Sequence, residues 1–144
     1  MTVSNRGLSA ASIMLCIARN RHARPVSKTF LAKQTGISAA YIGQIIMQLK
    51  NAGLVRSQRG IYGGYRLGRP AADITLYDLI IAAEGILDVV GQLERCSRCT
   101  LPCMNNLWCG ASRTLRNYFR GITLQQLLEE QESDGAREPM AEAV

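Results

Sequence analysis

The chain has 144 residues, 47% of them hydrophobic, with a formal net charge of +6. That is one domain, or a small domain with an appendage; no run approaches the roughly 20 apolar residues of a membrane span, and no repeat or low-complexity block is present. Residues 1–70 hold eleven Lys or Arg and no Asp or Glu, a balance suited to a polyanion, nucleic acid first and an anionic membrane second.

Residues 8–20, LSAASIMLCIARN, read as a helix with Leu8, Ala11, Leu15 and Ala18 in one apolar stripe, widened by Ile13, Met14 and Ile17. Arg6 before this run has the outline of a signal peptide. Arg19, Arg21 and Arg24 crowd the place of a cleavage site, which points to a cytoplasmic chain with reduced thiols. Cys16 reads as a small buried hydrophobe and His22 as a solvated side chain. Ser27 caps a second helix in which Phe30, Leu31 and Ala32 face inward and Gly36 is the stop. Ser38 caps a third, with Gly53 as its stop. The two together are a helix-turn-helix pattern.

In the third helix Ile42, Ile45, Ile46 and Leu49 recur at i, i+3, i+4 and i+7 and are core. Tyr41, Gln44 and Gln48 share another face, with Ser38 and Ala40 at the helix start. Small residues and glutamine without carboxylates suit a major groove, where glutamine bonds an adenine edge; the plainer reading is an ordinary exposed helix surface. Residues 54–58 and 65–67 read as two short strands around a turn holding Gly60, Gly63 and Gly64. A hairpin directly after a helix-turn-helix is a wing. Arg59 stands at its tip beside Gly60, with Arg56, Arg66 and Arg69 near by, and an arginine on a narrow ribbon can enter a minor groove.

Thr75 and Asp78 form a capping box for a helix with Leu76, Leu79, Ile80 and Ala83 on its apolar face. Residues 86–93 read as a helix or an extended piece. The stretch 96–109, CSRCTLPCMNNLWC, carries four of the five cysteines at C-x2-C-x3-C-x5-C spacing, and Pro102 marks it as irregular. Trp108, Ala111, Leu115, Phe119 and Ile122 then repeat at three- and four-residue steps, over a helix of about ten to fourteen residues that Gly121 breaks. Thr123 and Gln126 are a second capping box, and the acidic stretch from 131 has the composition of a disordered tail. Thiolates are soft ligands that suit an iron–sulfur cluster or zinc. One C-x2-C knuckle with two wider gaps departs from the separated knuckles of structural zinc sites. The spacing alone leaves a cluster, zinc and free redox thiols all open.

This order of parts, with TGISAAYIGQIIMQLKNAGLV, the wing RGIYGGYRL and the late ITLQQLL, resembles the IscR/NsrR family of winged-helix transcription regulators. The resemblance implies a mostly α fold: a winged helix-turn-helix with a small β-hairpin wing and a long C-terminal dimerisation helix. The expected divisions are a DNA-binding domain (1–85), a cysteine-rich sensor loop (86–110), a dimerisation helix and short C-terminal helix (108–130), and the acidic tail (131–144). It further implies a cytoplasmic homodimer on a palindromic double-stranded DNA operator, with no membrane role and no enzymatic activity. Carried over position by position, Ser38, Ala40, Tyr41 and Gln44 match DNA-reading positions and Arg59 matches the wing arginine. Lys28, Gln48 and Gly60 complete the set expected at the DNA. Some members have a glutamate beside the tyrosine and glutamine; here Gly43 stands in that place, so an operator sequence does not carry over.

The cysteine loop is the sensor in this family. Cluster-binding members supply three cysteines from it, and the fourth ligand is a histidine just after the third cysteine or a carboxylate near the start of the first helix. Here Asn105, Asn106 and Leu107 follow Cys103, and Leu8 stands at the carboxylate position. The expected metal ligands are therefore Cys96, Cys99, Cys103 and Cys109, around a [4Fe–4S] cluster in preference to [2Fe–2S], with zinc the runner-up. The function implied is transcriptional regulation switched by that cluster. A metal-free thiol switch or zinc-binding winged-helix repressor is the alternative, and a small electron-transfer iron–sulfur protein a more distant one.

Overall fold

Serine hydroxyls start both helices of the helix-turn-helix. Ser27 Oγ accepts the Phe30 N–H at 3.1 Å and opens α2 (Lys28–Thr35); Ser38 Oγ accepts the Tyr41 N–H at 3.3 Å and opens α3 (Ala39–Asn51). Between them Gly36 takes the left-handed conformation, φ 70°, and its N–H donates to Ala32 O at 3.0 Å. A side chain there would be strained, which is why glycine ends the helix. The computed structural model describes residues 5–20, 24–84 and 102–135. The remaining elements are α1 (Asn5–Arg19), β1 (Val55–Gln58), β2 (Gly64–Leu67), a 3-10 turn (Ala71–Asp73), α4 (Leu76–Glu84), α5 (Pro102–Gly121) and α6 (Leu124–Gly135). The fold is mostly helical with one small antiparallel hairpin. Residues 86–93, Cys96 and Cys99 lie outside the described residues.

The core joins α1, α3 and α4 around Ile13, Met14, Ile42, Ile45, Leu49 and Leu79, all without solvent exposure. Leu124 and Leu128 of α6 close it from the C-terminal side. Three sequence expectations change here. First, α1 begins at Asn5 and buries Ala10, Ile13, Met14, Ile17 and Ala18, while Leu8 is 57% exposed. This run is apolar almost all round, so its period admits more than one stripe and packing against α4 and α3 selects one. Second, Phe30 is 45% exposed, because the short α2 buries only Leu31 fully. Third, Pro102 does not interrupt a loop; it is the first residue of α5, where a missing N–H and a fixed φ cost nothing. The last helix, α6, likewise continues to Gly135, into the acidic stretch.

The hairpin pairs Val55 with Leu67 and Gln58 with Gly64. Val26, just before α2, adds a bridge: its N–H donates to Tyr65 O and the Tyr65 N–H donates back to Val26 O, both at 2.9 Å. A Cβ on Gly64 would stand 2.5 Å from Val26 O, so only glycine permits this approach. The wing is thus anchored to the helix-turn-helix by backbone. Both capping boxes form. Thr75 and Asp78 exchange hydrogen bonds of 3.1 Å, while the Thr123 N–H donates to Gln126 Oε1 at 2.8 Å and the Gln126 N–H to Thr123 Oγ1 at 3.2 Å. The two boxes meet in an isolated bridge. The Leu76 N–H donates to Ile122 O at 2.8 Å, and the Leu124 N–H donates to Ile74 O at 2.7 Å. With the Arg120 guanidinium 4.5 Å from the centre of the Tyr77 ring, this clamps the end of α5 to the start of α4.

Candidate nucleic-acid interface

The inner face of α3 is spent on the core, so its outer face is what the domain presents. Ala40, Gln44 and Met47 are exposed there at i, i+4 and i+7, with Ser38 exposed at the cap. The Ser38 hydroxyl accepts the Tyr41 N–H and keeps its own proton to donate. Tyr41 is half-buried and packs against the core. Gln48 is half-buried too, and its Oε1 is enclosed without a partner. Of the two glutamines, only Gln44 therefore offers both ends of its amide to a base edge. Lys28, in the first turn of α2, is exposed and lies over α3: a Cβ on Gly43 would be 3.4 Å from Lys28 Nζ.

At the wing, Arg59 and Gly60 are exposed, and the turn closes through a 2.9 Å hydrogen bond from the Gly63 N–H to Gly60 O. Between the glycines stand two side chains that sequence reasoning passed over. Ile61 is 98% exposed and Tyr62 72%, with the Arg24 guanidinium 5.5 Å from the Tyr62 ring centre. Their signal was present: turn tips ordinarily carry polar residues, and RGIYGG does not. Met47, 61% exposed in line with Ala40 and Gln44, was missed as well. A methionine reads as core by composition, and only the packed helix shows which side it is on. With no carboxylate before Asp73, this whole face has a positive field.

The thiols divide. Cys103 and Cys109 both belong to α5. Six helical residues place them on faces about 120° apart and about 9 Å apart along the axis. Cys109 is exposed. Cys16 is half-buried on α1, where burial pushes its thiol pKa up and nearby Arg19 partly opposes the shift. Among the described residues no three His, Cys, Asp or Glu side chains are grouped to hold a metal, and Cys96 and Cys99 lie outside them. By chemistry, Cys96, Cys99, Cys103 and Cys109 are soft thiolate donors of the kind that suit an iron–sulfur cluster.

Comparison with known proteins gives the family. The family described as "Rrf2: Iron-dependent Transcriptional regulator" matches residues 3–130. The chain is 33% identical over 135 residues to the HTH-type transcriptional regulator IscR of Vibrio atlanticus, covering 92% of this chain and 78% of that one. It is 33% identical over 127 residues to the HTH-type transcriptional regulator CymR of Bacillus subtilis, covering 88% and 89%. The solved structure of that CymR, described as the global cysteine regulator of its organism, superposes with a TM-score of 0.78 at 32% identity, covering 90% of this chain and 98% of the other. No helix among the described residues is long and apolar enough to cross a membrane. A match of this extent makes the chain an Rrf2-family transcriptional regulator, a DNA-binding protein and not an enzyme.

Proposed function

We propose that this regulator works in the cytoplasm as a homodimer on a palindromic operator, with an iron–sulfur cluster on Cys96, Cys99, Cys103 and Cys109 setting its affinity. The observation that carries the reading is where these thiols fall in the chain: before α5 and within its first two turns, on a helix clamped to α4, which in turn packs on α3. A constraint at the start of α5 therefore acts on the relative placement of two recognition helices, and half-sites about one helical turn apart demand a fixed placement. Leu107 and Tyr118 leave apolar surface of α5 exposed at 62% and 64%, a face suited to the same helix of a second copy. Four thiolates complete the [4Fe–4S] cluster preferred here. When bound, such a group supplies an oxidisable centre whose loss frees the thiols. Arg59 at the wing and Ser38, Ala40, Tyr41 and Gln44 on α3 are the proposed DNA contacts, with Gly60 giving the wing tip its shape.

The test is anaerobic purification followed by iron and sulfide analysis, a visible spectrum, and operator affinity with and without cluster at one salt concentration. Stoichiometric iron and sulfide with unequal affinities support the proposal; equal affinities defeat the switch. A second reading, a metal-free thiol switch, is favoured by the exposed thiol of Cys109 and by likeness to a cysteine regulator. It requires colourless, iron-free protein whose DNA affinity follows thiol oxidation.

A further inference from the structure

We propose that Lys28 reads a guanine in the major groove, reaching it across Gly43 on the surface of α3. The proposal rests on the DNA-reading role of α3 and adds a base contact from the other helix of the pair.

The geometry comes first. Measured from the place a Gly43 Cβ would occupy, Lys28 Nζ is at 3.4 Å and Cε at 3.9 Å. The lysine thus folds back over α3 instead of extending away along α2. Gly43 is itself half-exposed, one turn from the exposed Ala40 and Met47 and next to the exposed Gln44. A larger residue at position 43 would occupy the lysine's path.

Lys28 is the first residue of α2, and no acid stands in that turn. A positive charge at a helix N-terminus opposes the helix dipole. No carboxylate precedes Asp73 in the chain, so no ion pair from this half of the protein holds the ammonium there. Meanwhile the outer face of α3 between Ser38 and Lys50 carries no charge of its own: Ala39, Ala40, Gly43, Gln44 and Met47. An ammonium laid across a small-residue surface is the donor that guanine O6 and N7 accept. Gly43 and Ala40 let the base edges come close enough for a lysine lying flat to reach them. The rival role is a phosphate contact, common near helix N-termini and blind to sequence.

Binding-site selection from a random duplex library separates the two, using the full chain and its Lys28→Ala and Gly43→Glu variants, with affinities measured over a series of salt concentrations. The wild-type chain is expected to select half-sites with a fixed guanine. Replacing that guanine should weaken wild-type binding about tenfold and leave Lys28→Ala unaffected. Gly43→Glu should lose the same preference with an unchanged circular dichroism spectrum, because its carboxylate captures the ammonium while its Cβ meets only a flexible side-chain end. Uniform weakening of Lys28→Ala on all sites, with the salt slope lower by about one unit, would make Lys28 a phosphate contact and overturn the proposal. So would wild-type sites without a fixed guanine. A library from which the wild-type chain retains nothing overturns the role of α3 itself, and Lys28 with it.

Discussion

Single residues decide three outcomes. Gly43 interrupts α3 with a residue that costs the helix about 1 kcal/mol relative to alanine. Since an added Cβ would meet only the flexible end of the Lys28 side chain, Nζ at 3.4 Å and Cε at 3.9 Å, Gly43→Ala should raise the thermal midpoint, as read by a melting curve. Among the thiols, Cys103→Ser and Cys109→Ser are each expected to abolish the visible absorption of anaerobically purified protein. Absorption retained in Cys109→Ser would remove Cys109 from the proposed ligand set. Cys16 behaves differently again. Its burial raises the thiol pKa, with Arg19 opposing only in part, and only the thiolate attacks an alkylating agent. It should label more slowly than the exposed Cys109 at neutral pH and speed up as pH rises, which peptide mass mapping would follow.

At the scale of elements, the ends of helices were written in short motifs and the structure uses them. Ser27, Ser38, Thr75–Asp78 and Thr123–Gln126 all cap as their spacing predicts. Thr75→Ala removes one side of a box at the point where α4 and the α5–α6 junction are joined; it should cost about 1 kcal/mol in denaturant unfolding. Leu49, without solvent exposure in the last turn of α3, should cost about 2–5 kcal/mol when cut to alanine. The helix pattern was less legible at the beginning of α5. There Pro, Cys and Asn break the apolar period, and Pro102 resembles a stop when it is in fact a permitted first residue. Which stripe of α1 is buried was likewise hidden, since Leu8 and Ile13 are equally apolar and only packing distinguishes them.

For the molecule as a whole, the C-terminal helices are held to the DNA-reading domain by the Thr75–Thr123 bridge and the Arg120–Tyr77 contact, while exposed Leu107, Trp108 and Tyr118 leave part of α5 without cover. In the proposed homodimer these side chains lie between the two copies. Tyr118→Asp should therefore shift sedimentation from dimer to monomer. It should also lower affinity for a two-half-site operator far more than for a single half-site, because linkage of the two sites is lost. A wild-type chain that sediments as a monomer would remove that arrangement. The wing makes a separate claim: Arg59→Ala should weaken binding most where the minor groove is narrow and A·T-rich, and a fluorescence-anisotropy series over such duplexes reads it directly.

The sequence by itself determined the sign of the charge, the helix caps, the wing and the family plan, because each depends on residue types at short, fixed spacings. It placed Ile42, Ile45, Ile46 and Leu49 in the core for the same reason. Tertiary structure alone decided what each face meets. It turned Gln48 partly inward and left Gln44 out, exposed Met47, Ile61 and Tyr62, and laid Lys28 across Gly43. It also put Cys103 and Cys109 on one helix. Proximity along a chain becomes proximity in space only through the path of the backbone, and a continuous helix rotates about 100° at every residue.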